Sequence, residues 1–89
     1  MEMQDIESML REPAKIKWAC RRGMLELDVL LSNFVERGYN SLSDEEKRNF
    51  IQLLGLQDPE LFALLMQQVA PADERQAELI TRIRSYARG

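Results

Sequence analysis

Histidine is absent from this 89-residue chain, and Cys20 is its one cysteine. Without histidine, and with a single soft ligand, the common zinc sites and the His-activated nucleophile arrangements cannot be built. A lone cysteine also rules out a disulfide framework within the chain, so Cys20 reads as a small core residue in a reducing compartment. No apolar run is long enough to span a membrane or to act as a secretory leader, and the expected location is the cytoplasm. A glycine-rich phosphate loop is missing, and no useful length alternates polar and apolar residues with period two. Basic excess is missing as well. Twelve Lys and Arg stand against 15 Asp and Glu for a net charge of −3, which argues against nucleic acid as a general partner.

What remains is patterned for helices. Apolar residues make up 45% and charged residues 30%, the balance of a soluble globular protein of one domain. Residues 1–13 carry Met3, Ile6, Met9 and Leu10 at helical spacing before Pro13, and read as a loose arm or a short helix ahead of a domain over 14–89. A helix is expected from Ala14 to Arg22, with Ile16, Ala19, Cys20 and Gly23 on one stripe. The next runs from Met24 to Arg37 around Leu27, Leu30, Leu31, Phe34 and Val35, closed by Gly38. Ser43-Asp44-Glu45-Glu46 is a capping box that opens a helix burying Phe50, Ile51, Leu53 and Leu54 and ending at Gly55. Asp58 as cap and Pro59 as first residue start a helix that is apolar nearly all round, hence expected at the centre and stopped by Pro71. A last amphipathic helix after Asp73 presents Leu79, Ile80, Ile83 and Ala87. The expectation is an all-α, single-domain bundle of about five short helices.

The stretch from Trp18 to Asp28 concentrates the chemistry. From Arg11 to Arg22 there are the bases Arg11, Lys15, Lys17, Arg21 and Arg22 against the acid Glu12, so one end is basic on an acidic body. Trp18 lies off the apolar stripe and either seals the edge of the core or stands at the surface. Arg22, Gly23 and Glu26 supply a planar cationic fork, a residue that lets another backbone come close, and an acceptor carboxylate. Two readings stay open. Arg22 and Glu26 form a helical pair at i and i+4, or each reaches a partner protein. Glu26 and Asp28 point about 200° apart on a helix and cannot share a proton or a metal, so an enzyme is not expected.

The run W-A-C-R-R-G-M-L-E-L-D at 18–28 closely resembles the succinate dehydrogenase assembly factors of the SdhE family, whose signature is R-G-x-x-E. S-L-S-D-E-E-K at 41–47 and D-P-E-L-F at 58–62 extend the likeness over most of the chain after residue 14. The resemblance implies a helical factor that binds the flavoprotein subunit of succinate dehydrogenase, and in some bacteria of fumarate reductase. It also implies that the factor promotes covalent attachment of FAD to a histidine of that subunit while holding no cofactor stably itself. By position the motif is Arg22, Gly23 and Glu26, with Arg21, Trp18, Met24 and Asp28 as neighbours, Lys15 as a basic rim, and a monomer as the free state. Some family members have been described as antitoxins of a membrane-associated toxin, and that is the alternative function.

Overall fold

Pro13 occupies the first position of the second helix, where its missing N–H costs nothing, and the chain breaks just before it at Glu12. The computed structural model describes the backbone of residues 3–86 and the side chains of residues 6–86. Its helices are α1 (Met3–Arg11), α2 (Pro13–Ala19), α3 (Leu25–Arg37), α4 (Asp44–Leu54), α5 (Asp58–Leu65) and α6 (Glu74–Ser85), with a 3-10 turn at Tyr39–Ser41. No strand occurs among the described residues. The all-helical expectation therefore stands, with six helices among the described residues in place of about five. The addition is α1, which packs on α2 and α4 and buries Ile6 and Met9. It is tied down by Arg48 Nε donating to Glu7 Oε2 at 2.9 Å and by Lys15 Nζ donating to Ser8 Oγ at 2.6 Å. The Met3 side chain and Ala87, both placed on apolar stripes by the sequence, lie outside the described residues.

Phe34 anchors the core from the middle of α3. Its ring centroid lies 5.1 Å from that of Phe50 on α4 and 5.7 Å from that of Tyr86 after α6, within the range of favourable aromatic pairing. Leu27, Leu31, Ile51, Leu61, Leu65 and Ile83 close the same cluster without solvent exposure. Gly38 ends α3, but with φ −117° and ψ −21° rather than in the left-handed region. Space explains the glycine: a Cβ there would stand 2.6 Å from Tyr86 Cε2 and 2.9 Å from Phe34 Cε1.

Local signals translated directly where partners are close in sequence. The Ser43 box forms both its bonds, Ser43 N to Glu46 Oε1 at 2.8 Å and Glu46 N to Ser43 Oγ at 3.2 Å, and Asp73 caps α6 through Gln76 N at 2.9 Å. Three expectations need correction. Helix α2 stops at Ala19 instead of Arg22, where the Arg22 side chain is drawn onto the junction of α4 and α5, as described below. The cap of α5 is Gln57, with Asp58 inside the helix, since the Asp58 carboxylate is taken by that same arginine. Helix α5 is buried on one side only, through Leu61, Leu64 and Leu65, and ends well before Pro71. There Arg84 Nη1 captures Leu65 O at 2.6 Å and Gln67 turns the chain at φ 60°, leaving Val69 49% exposed.

Candidate docking loop between α2 and α3

Residues 20–24 connect a seven-residue helix to the long central one, and the connection is irregular. Cys20 N still reaches Ile16 O, and Arg21 N turns back to Trp18 O, each at 3.1 Å. Beyond that point the chain is held by a side chain. Arg22 runs inward with its side chain 12% exposed. Its Nη2 donates to Leu54 O at 2.5 Å, while its Nη1 donates to Leu56 O at 3.2 Å and to Asp58 Oδ1 at 3.3 Å. Leu54 ends α4 and Asp58 begins α5. The guanidinium thus satisfies a carbonyl orphaned at a helix C-terminus, sits at the favourable end of that helix dipole, and pairs with a carboxylate. Its Nε is buried without a partner among the described residues.

This geometry gives Arg22 a contact within the chain that neither of the two readings named. The loop is not helical, so Arg22 and Glu26 are not stacked one turn apart, and no ion pair joins Glu26 to another described residue. Glu26 is exposed on the first turn of α3. Gly23 is exposed too, its φ lies outside the left-handed region, and a Cβ built on it would meet nothing closer than Asp58 Oδ2 at 3.9 Å. Neither space nor a left-handed backbone requires a glycine there, in contrast to the crowding at Gly38.

Around that glycine the surface is apolar and basic. Trp18 is 70% exposed, which resolves its position as surface, and Arg21 lies over its ring with the guanidinium carbon 5.3 Å from the centroid, a cation–π distance. Lys17 and Arg21 line a small cavity of about 150 Å³ with Ser32, Val35 and Glu36, against Cys20. Met24 packs partly against the core, and Asp28 is half-buried and accepts from Ser32 Oγ at 3.3 Å. Lys15 is occupied by Glu12 at 2.9 Å and by Ser8, so its position ties it to α1. Two residues outside the sequence-derived set join the surface: Leu25 at 71% and Val29 at 48% exposure, one turn apart on α3. Their signal was available, since they fall off the stripe of Leu27, Leu30, Leu31 and Phe34.

Cys20, 1% exposed, has its thiol pushed up to about 12 by burial, against a smaller opposing effect of Arg22. It is a core side chain rather than a nucleophile. A groove of about 380 Å³ between α4 and α6 is lined by Glu45, Glu46, Arg75 and Glu78, among others. None of the loop residues borders it, and Glu45 is already paired with Arg75 at 2.6 Å. Among the described residues no group of His, Cys, Asp and Glu is placed to hold a metal ion, and no helix is long and apolar enough to cross a membrane.

Exposed aromatic, apolar and cationic side chains flank an unhindered glycine on a small helical body, with no candidate metal site among the described residues; that composition is the kind found at protein interfaces. The family model described as flavinator of succinate dehydrogenase matches residues 14–87. A Shewanella oneidensis protein called FAD assembly factor SdhE is 50% identical over 74 residues, covering 83% of this chain and 90% of that protein. Proteins of the same name from Idiomarina loihiensis and Yersinia pestis are 44% identical over 80 residues and 49% identical over 78, covering 90% and 85% of this chain and 89% of each of those proteins. The chain belongs to this family of FAD assembly factors. It is an assembly factor and not an enzyme in the usual sense.

Proposed function

We propose that the loop from Trp18 to Glu26 docks on the flavoprotein subunit of succinate dehydrogenase and promotes covalent attachment of FAD to a histidine of that subunit. The reading rests on one observation above the others. Gly23 is exposed, unstrained and unhindered, so the absence of a side chain serves something outside the fold, and a partner's backbone is what a glycine admits. Trp18, Arg21, Leu25 and Glu26 surround it as anchors and polar rim, the composition of an interface centre. Arg22 supports them from behind; Met24 and Asp28 shape the base, and Lys15 lies at the edge. The factor contributes positioning. The flavin methyl group and the acceptor histidine belong to the cofactor and the partner, and holding them together converts an encounter into an intramolecular step. The flavoprotein of fumarate reductase is a second client of the same chemistry.

The test is co-expression with the flavoprotein subunit in a cell lacking its native factor, followed by denaturing electrophoresis and in-gel flavin fluorescence. Covalent flavin with the wild-type chain and little without it supports the reading. Equal fluorescence in both, or affinity capture of a membrane-associated toxin in place of the flavoprotein, overturns it.

A further inference from the structure

We infer that Arg22 and Asp58 form a positioning pair that sets the shape of the docking loop, which makes Asp58, 36 residues away in sequence, a determinant of docking that acts through Arg22. The inference rests on the proposed docking role of the loop. Between Ala19 and Leu25 the backbone supplies almost no order of its own. The N–H groups of Arg22, Gly23 and Met24 make no backbone hydrogen bond to the described residues, while Arg21 N to Trp18 O on one side and Asp28 N to Met24 O on the other mark where the ladders resume. Across that gap the fixed point is the Arg22 guanidinium, held by Leu54 O, Leu56 O and Asp58 Oδ1.

Asp58 is placed for this rather than for its own helix. It is not the cap of α5; that position is Gln57, whose backbone N–H donates to Glu60 Oε1 at 3.4 Å. One Asp58 oxygen faces Arg22 and the other lies 3.9 Å from the point where a Gly23 Cβ would stand, so a single carboxylate flanks two consecutive loop residues. Arg22 is equally specific, because it reaches Leu54 O from one terminal nitrogen and Leu56 O and Asp58 Oδ1 from the other, and a lysine, with its three donors on a single nitrogen, cannot reproduce that planar fork. A loop that visits its docking shape only part of the time binds with an affinity reduced by that fraction, so loosening the pair weakens docking through the population of that shape.

The test compares the full-length wild type with Asp58→Ala, Asp58→Asn, Arg22→Lys and Gly23→Leu in three measurements: thermal melting, backbone order parameters at residues 22–24, and affinity for the flavoprotein subunit. Asp58→Ala keeps both carbonyl contacts of Arg22 and is expected to fold. Order parameters at 22–24 should fall from about 0.85 toward 0.6, and affinity should drop about tenfold, as when the competent loop is populated one tenth of the time. Asp58→Asn, which retains an acceptor oxygen, should recover part of both losses, and Arg22→Lys should resemble Asp58→Ala. Unchanged order or unchanged affinity in Asp58→Ala overturns the positioning pair. Should Asp58→Ala fail to fold, Asp58→Asn and Arg22→Lys decide by the same criteria. Gly23→Leu separates the two ideas: if it binds like wild type the docking reading falls, and if it fails while Asp58→Ala binds normally only the positioning pair falls.

Discussion

Two glycines in this protein, Gly23 and Gly38, are glycines for opposite reasons, and substituting each separates docking from folding. At Gly38 an added methyl would overlap Tyr86 Cε2 at 2.6 Å and Phe34 Cε1 at 2.9 Å. Both rings belong to the aromatic cluster around Phe34, so neither can swing away without opening the core. Overpacking of this kind costs about 1 to 3 kcal/mol. For a domain of this size each kcal/mol lowers the melting temperature by about 4 to 8 °C. At Gly23 the nearest atom to a new Cβ is 3.9 Å away, in ordinary contact, and the backbone is not left-handed. Gly23→Leu should therefore change stability by no more than about 0.5 kcal/mol. In an interface the same side chain fills the space where the partner's backbone lies, and losing a central anchor site of at least 2 kcal/mol weakens binding by about thirtyfold or more. The assay is a pair of circular dichroism melts with titration of both variants against the flavoprotein subunit. Gly38→Ala should melt early and, while folded, bind; Gly23→Leu should melt like wild type and not bind. If Gly23→Leu melts as early as Gly38→Ala, Gly23 is a structural bend and the reasoning fails.

Cys20 should resist alkylation at pH 8 in the folded protein and react only on unfolding, because burial leaves almost no thiolate below about 12; rapid native labelling would contradict its core placement. Glu46 accepts from the Ser43 backbone N–H, which holds its carboxyl below the ordinary 4.5. With the folded value lowered, its contribution to stability is present above the unfolded value and is lost as pH falls through the folded one. The stability gap between wild type and Glu46→Gln, followed by denaturant titration from pH 7 to 3, should therefore close on the acid side; a constant gap would refute the linkage. Arg22→Glu and Glu26→Lys should differ in kind. The first faces Asp58 and two carbonyls with a carboxylate and should cost about 1.5 to 3 kcal/mol of stability. The second alters an exposed residue and should leave the melt within about 0.5 kcal/mol of wild type while weakening docking. Equal melting curves for the two would place Arg22 outside the fold's support.

Contacts between sequence neighbours were legible and distant ones were not. The Ser43 box, the Asp73 cap and the α3 stripe each depend on residues within a turn or two, and those elements formed where expected. The end of α2 was missed, because nothing between Ala19 and Gly23 breaks a helix locally. What ends it is Arg22 reaching Leu54 and Asp58, at separations of 32 and 36 residues, and the same pairing took Asp58 away from the cap position its sequence suggested. The exposed end of α5 has a similar origin, since Arg84 on α6 donates to its last carbonyl. At the site, the type of residue was readable but its direction was not: Arg22 turned inward, Trp18 outward, and Leu25 and Val29 emerged on the free face of α3.

The most direct measurement is covalent flavin on the flavoprotein subunit in cells that lack their native factor and express either wild type or Gly23→Leu at equal soluble levels. Docking through the open glycine predicts bright in-gel flavin fluorescence with wild type and a background signal with the folded Gly23→Leu variant. Equal fluorescence from the two would contradict it.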